Sequence, residues 1–202
     1  MYIQSMDPLD YLRNKGIIAS GLINIQYEKI IAYDDLTALH CARVAAYAAD
    51  VAEACDMDVK KMAEAGLVHD LGKIYLRHKM INKMGKLTPL EKECVDRHAY
   101  YGYRMLKDVC VDDDICIMVL CHHTLDALAF TYEEASDYAI TGAKILKASD
   151  IYDATTSDRP YRRALQPQTA LDILEDTEIP QWLLDHFARV ATTAMVRFAN
   201  AQ

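Results

Sequence analysis

Apolar positions recur every three to four residues along most of this chain, and that period predicts helices. An Ala-rich run from about Leu36 to Cys55 reads as one long helix. A turn at Cys55-Asp56-Met57-Asp58 leads to a second, from about Val59 to Asp70 and on toward Lys73. Thr88-Pro89-Leu90-Glu91 is a capping box with Pro at the first helical position, and it opens a helix that runs to about Lys107. Asp112 to Asp114 offers caps for a helix ending at His122-His123. Further helices fit Tyr138 to about Thr156, Gln168 to Asp176, and Pro180 to Phe198. No stretch alternates with a period of two, so the predicted class is all-α.

The remaining stretches are less regular. Asp7-Pro8 opens a short helix to about Lys15. The segment GIIASGLINIQYEKIIAYDD, residues 16–35, reads as less regular chain that either wraps the core or holds a partner. Ile74 to Leu87 and Thr124 to Asp137 read as loops, the second with a partial helical turn. SDRPYR, Ser157 to Arg162, breaks the preceding helix, because Pro160 also restricts Arg159. With no repeat or linker, the chain divides into an N-terminal appendage, 1–34, and one domain, 35–202.

Composition narrows the classes. The chain has 202 residues, 52% hydrophobic, enough for one real core. A net charge of -8 argues against long nucleic acid and anionic membrane as partners. It leaves open a local phosphate site built from metals and lysine. No apolar run reaches membrane-spanning length, and the N-terminus lacks a leader pattern. The six cysteines form no CxxC pair and sit mostly in apolar, helical contexts. They read as reduced thiols of a cytoplasmic protein.

Against this background the histidines stand out. His78 and His186 lie in charged or exposed contexts and read as ordinary surface residues. His40 lies in the Ala-rich helix, His69-Asp70 near the end of the next, and His98 inside the capping-box helix. His122-His123 closes the one after, and Asp150 interrupts an apolar face. Successive helices thus each contribute imidazoles or carboxylates, which is how a bundle builds a metal site in its core. Mixed His and carboxylate ligands suit Fe, Mn, Zn, Co or Ni rather than thiolate-selected metals. Six or more ligands exceed the need of one tetrahedral ion and fit a carboxylate-bridged pair.

The ordered series His40, His69-Asp70, His98, His122-His123, Asp150, together with HDLGK, LTPLE, HHTLDAL and KASDIYDATTSDRPYR, resembles the HD superfamily of metal-dependent phosphohydrolases. Within it the chain is similar to the HD-GYP branch, whose known activity is hydrolysis of cyclic di-GMP. The likeness spans roughly Leu36 to Leu174 and implies an HD-domain helical bundle. Thr124 stands where the branch carries Glu after the double His. ALAF, 127–130, replaces the Gly-Tyr-Pro loop, for which Tyr132 is no substitute. Leu36 occupies the place of an extra ligand that in some members binds a third metal, so the resemblance implies two metals here.

On this resemblance His40, His69, Asp70 and Asp150 surround one divalent metal, and Asp70 bridges to a second held by His98, His122 and His123. Iron or manganese heads the list, ahead of Zn, Co, Ni or Mg. A shared hydroxide attacks phosphorus, Asp70 and Lys73 serve catalysis, and Lys73 and Arg159 contact the substrate phosphate. Arg162 reads as a structural turn residue, Asp153 as a residue orienting a ligand, and Asp126 as the same or a turn cap. Tyr100, Tyr101 and Tyr103 either stack a base or, more commonly at helical spacing, pack against the core. The expected substrate is a phosphate-containing small molecule, a cyclic dinucleotide such as cyclic di-GMP. The alternatives are a nucleotide phosphomonoesterase and a catalytically weak module that binds a nucleotide or protein. A homodimer or a signalling protein is the expected macromolecular partner.

Overall fold

A computed structural model describes residues 6–81, 83, 85–131, 134–158 and 163–198. Their secondary structure is helical throughout. Helices α1 (Pro8–Asn14), α2 (Gly21–Tyr33), α3 (Asp35–Ala54) and α4 (Val59–Val68) come first. A 3-10 turn, Leu71–Tyr75, leads to α5 (His78–Ile81), α6 (Pro89–Asp96), α7 (His98–Asp108) and α8 (Asp113–Cys121). A second 3-10 turn, Leu125–Phe130, precedes α9 (Asp137–Thr156), α10 (Pro167–Glu175) and α11 (Gln181–Phe198). No described helix is long and apolar enough to cross a membrane.

Short polar residues start most of these helices. Asp7, Ser20, Asp34, Asp58, Thr88, Asp112 and Ser136 each accept a backbone N–H from the first turn, satisfying donors the helix leaves unpaired. At Thr88 the box is complete, with Glu91 bonding back to the Thr88 N–H at 2.7 Å. Asp56 and Cys110 adopt left-handed backbone just past α3 and α7 and end them.

Helix α3 is the hub, packing on α1, α2, α4, α9 and α11. Its buried face is largely alanine, with Ala42, Ala45, Ala46, Ala48 and Ala49 all shielded from water. Small side chains let neighbouring backbones come close. At Gly66 of α4, an added Cβ would lie 2.5 Å from the Ala45 Cα. A second close approach places Gly72, in the first 3-10 turn, against the start of α7 at His98 and Gly102. Helix α8 is buried from Ile115 through Cys121 and completes the core.

Two stretches depart from the sequence reading. Residues 21–33 form a regular helix, α2, with Ile23, Gln26, Tyr27 and Ile30 buried at helical spacing. Exposed Leu22, Ile25 and Ile31 blur that period, because the helix is apolar on its outer side too. The helix expected from Thr88 to Lys107 is two, α6 and α7, divided at Arg97. At the division the His98 ring takes the Val95 carbonyl at 2.6 Å. The first 3-10 turn crosses the chain at the same point.

Glycine normally weakens a helix relative to alanine, but at Gly66 the close approach reverses the sign. Gly66→Ala is expected to lower the unfolding free energy by about 1–3 kcal/mol. Gly21→Ala, where no atom lies within 4 Å of the added Cβ, should stay within about 0.5 kcal/mol. Urea unfolding of the two variants checks the contrast.

Candidate metal centre

Three of the candidate histidines sit at helix ends and are fixed by the same local device. His69 follows the last residue of α4, His98 is the first residue of α7, and His122 follows the last residue of α8. Each ring uses Nδ1 to bond the carbonyl three residues earlier: His69 to Gly66 at 2.8 Å, His98 to Val95 at 2.6 Å and His122 to Val119 at 2.6 Å. A carbonyl only accepts, so Nδ1 carries the hydrogen in all three, and Nε2 is left with a bare lone pair.

His40, mid-way along α3, is held differently. Its Nδ1 lies 2.6 Å from Asp153 Oδ2, and Arg43 clamps the same carboxylate, Nε at 2.5 Å and a terminal nitrogen at 3.0 Å. His40 Nε2 faces Asp150 Oδ1 at 3.0 Å and Asp70 Oδ2 at 3.7 Å.

The Nε2 atoms converge on two adjoining clusters, His40-His69-Asp150 and His98-His122-His123, whose ligand atoms lie within 4.8 Å of one another in each. Asp70 stands between them. Its Oδ1 is 3.1 Å from His98 Nε2, and its Oδ2 is 3.6 Å from His69 Nε2. Lys73 Nζ pairs with the same Oδ2 at 2.5 Å. His98, His122, His69 and Asp70 are all at most 2% exposed.

This donor set fits cations. His98 Nε2 faces His122 Nε2 at 3.2 Å, and with both hydrogens committed at Nδ1 two lone pairs point at each other. His69 Nε2 is buried with no hydrogen-bond partner. Buried acceptors gathered in this way are costly unless a positive charge lies among them.

The protonation states agree with that reading. Burial pushes the His69 and His122 pKa values down, with the neighbouring His123 adding to the drop at His122, and His123 itself falls to about 4. These rings are neutral near pH 7, the form that binds metal. Burial opposes ionisation of Asp70, but Lys73 and His69 outweigh it and hold the carboxyl well below its usual range. Asp150 is held low in the same way by His40. Burial also lowers the His40 pKa, but its hydrogen bonds to Asp150 and Asp153 raise it overall to about 9. Without an ion between His40 and Asp150, a proton takes that place.

The sequence matches the HD domain family over residues 37–155. The chain belongs to the HD domain family. Among its curated relatives is a cyclic di-GMP phosphodiesterase of Pseudomonas aeruginosa, 32% identical over 143 residues, 68% of this chain and 34% of the relative. Another is a 3'3'-cGAMP-specific phosphodiesterase of Vibrio cholerae, 32% identical over 155 residues, 74% of this chain and 34% of the relative. The chain thus spans about a third of the length of these relatives. Its fold is that of the HD domain of the L. monocytogenes phosphodiesterase PgpH, with a TM-score of 0.65 at 15% identity over 84% of this chain and 96% of that one.

All seven candidate ligands of this HD domain therefore meet at one place, with Lys73 against them. Arg159, Arg162 and Tyr132 lie outside the described residues. Asp126 is exposed on the second 3-10 turn, where its N–H donates to Thr124 Oγ1 at 3.2 Å. Thr124, in the place of the branch's Glu, caps that turn. Leu36 is 60% exposed, one helical turn before His40 on α3. Arg43 was not among the candidates from sequence. Its signal was the His40–Arg43 spacing, one helical turn that puts both on the same side of α3. Cys41 also touches the cluster, near His69 and Asp70, but burial keeps its thiol protonated.

The raised His40 pKa has a measurable consequence. Its folded value of about 9 lies above the unfolded 6.5. The stabilisation is full below pH 6.5 and is lost as pH rises through 9. Metal-stripped protein is therefore expected to lose roughly 2–3 kcal/mol of stability across that window. Asp153→Asn should flatten the dependence, as followed by urea unfolding at a series of pH values.

Proposed function

We propose that this HD domain is a metal-dependent phosphodiesterase acting on a cyclic dinucleotide, with cyclic di-GMP or 3'3'-cGAMP as the first substrates to test. The observation that carries the proposal is the position of Asp70, which presents one oxygen to each of two His-rich clusters. A carboxylate so placed would be shared by ions held in the two clusters. The identity to relatives named as phosphodiesterases for these two substrates supports the substrate class.

In the proposed site His40, His69, Asp70 and Asp150 would hold one divalent ion. Asp70, His98, His122 and His123 would hold the second. The oxygen and imidazole donors favour iron or manganese. When bound, such a pair supplies an activated water near neutral pH and offsets charge on the phosphoryl oxygens. The rest is the work of the chain itself. The Nδ1 hydrogen bonds fix the direction of the His40, His69, His98 and His122 rings. Arg43 and Asp153 orient His40 and make it a more basic ligand. Asp70 raises the Lys73 pKa against the effect of burial, so Lys73 keeps its ammonium beside the site, ready to meet a phosphate oxygen as charge develops. Six free thiols support a reducing, cytoplasmic setting.

A second reading is a catalytically weak nucleotide- or protein-binding module. It is favoured by the remodelled loop after His123, where Thr124 caps a 3-10 turn in place of a further carboxylate.

The deciding experiment measures metal content of protein purified without oxygen or chelator. Turnover of cyclic di-GMP, 3'3'-cGAMP, bis(p-nitrophenyl) phosphate and nucleoside monophosphates is measured on the same sample. About two ions per chain with diester turnover is the expected result. Two ions without turnover of any substrate would establish the binding module instead. His69→Ala and Asp70→Ala are expected to lose metal and hydrolysis together. Full metal content with full activity in either variant would overturn the assignment. Lys73→Ala should keep its metal and lose about 10²-fold or more in turnover.

A further inference from the structure

Helix α7 carries the metal centre at its first residue and a second feature on an adjoining face. Arg97, Tyr101, Arg104 and Asp108 recur at helical spacing along it and line one cavity of about 550 Å³. The opposite wall is the chain leaving the first 3-10 turn, with Tyr75 and Arg77. Met80 and Met105 make part of the lining apolar. The metal cluster is not in this lining. His98, one residue from Arg97, turns its ring into the core, whereas Arg97 is exposed.

Three guanidinium groups around one cavity are unusual in a chain of net charge -8, and a single carboxylate, Asp108, lies among them. None is committed to a buried ion pair. Arg97 meets Glu93 at 3.0 Å on the exposed helix surface. Arg104 donates to the Tyr100 hydroxyl at 3.3 Å. Arg77 makes no ion pair among the described residues, and its side chain is exposed. Such groups fork readily onto phosphate oxygens.

Two aromatic rings complete the cavity. Tyr75, 65% exposed, meets Tyr101 at 5.7 Å between ring centres in an edge-to-face contact. Exposed Tyr75 and half-buried Tyr101 beside arginines offer a π-face for a flat heterocycle and a cationic rim for its phosphate. The structure also separates the three tyrosines that sequence placed together. Tyr103 is buried in the core, whereas Tyr101 opens into this cavity.

We infer that the cavity between α7 and the end of the first 3-10 turn is a nucleotide-binding site separate from the metal centre. It takes a nucleoside phosphate whose base lies on Tyr75 with Tyr101 beside it and whose phosphate is held by Arg77, Arg97 and Arg104. The inference does not rest on the metal centre's activity. The site shares the 3-10 turn with Lys73 and the helix α7 with His98, two elements that also shape the metal centre.

The test is calorimetric titration of the full, metal-loaded chain with guanosine 5'-monophosphate, ribose 5-phosphate and guanosine. The nucleotide is expected to bind, with each fragment weaker by about tenfold or more, since stacking and phosphate contact both contribute. The double variant Arg77→Ala/Arg104→Ala and the single variant Tyr101→Ala should each weaken nucleotide binding by about tenfold. Metal content and bis(p-nitrophenyl) phosphate turnover should be unchanged in both. Nucleotide binding of the same strength in the variants would place the ligand at the metal centre and overturn the inference. Ribose 5-phosphate binding as tightly as the nucleotide would reduce the cavity to a simple anion cleft, and no binding of the nucleotide would remove the site altogether.

Discussion

A carboxylate at the centre of a helical bundle has to be surrounded by positive charge, and Asp70, 2% exposed, is the group on which this structure turns. Burying such a charge alone is strongly unfavourable. Lys73 meets one of its oxygens and His98 the other, while His40 and His69 stand just beyond contact. Much of the architecture serves to bring those groups to it. The alanine face of α3 lets α4 approach, which brings His69-Asp70 alongside His40. The facing glycines, Gly72 and Gly102, let the 3-10 turn with Lys73 press on α7, which delivers His98.

Three of the candidate ligands are mounted where helices end, and this follows from helix chemistry. The last carbonyls of a helix have no intrahelical partner. A histidine placed just past the end can take one with Nδ1, which repairs the helix and aims Nε2 outward along a fixed direction. The chain does this at Gly66–His69, Val95–His98 and Val119–His122. One short interaction thus satisfies a backbone group, selects the tautomer and sets the ligand vector. It also explains why apolar runs such as Gly66 to Leu76 tolerate polar residues in their middle.

What could be read from sequence was what local chemistry dictates. The capping box at Thr88, the Asp112 cap and the long α3 follow from side chains a few residues apart, so the pattern carried them. The HD pair and the spaced histidines were legible because no apolar core accepts them without a reason. Helix α2 was hidden because Leu22, Ile25 and Ile31 add apolar residues outside the buried face of Ile23, Tyr27 and Ile30. The break at Arg97 depends on a contact between His98 and a turn over twenty residues earlier, which no local pattern records. For Arg43 the one-turn spacing from His40 was legible, but its partner was not, since Asp153 lies 110 residues away.

The two clusters are not equivalent, and the difference originates in how their rings are held. His69, His98 and His122 rest on neutral carbonyls, whereas His40 rests on the ionised Asp153, whose pKa of about 2 is set against burial by His40 and Arg43. A carboxylate behind an imidazole makes it a stronger donor. The His40 side also includes Asp150, so it brings two carboxylates, counting Asp70, against one on the His98 side. A cation among His40, His69, Asp70 and Asp150 would therefore be held more tightly, and one among His98, His122, His123 and Asp70 would have less of its charge neutralised. The less neutralised position would be the one better able to attract a phosphate oxygen. Lys73, on the Asp70 oxygen that faces His40 and His69, adds its charge at the boundary between the two.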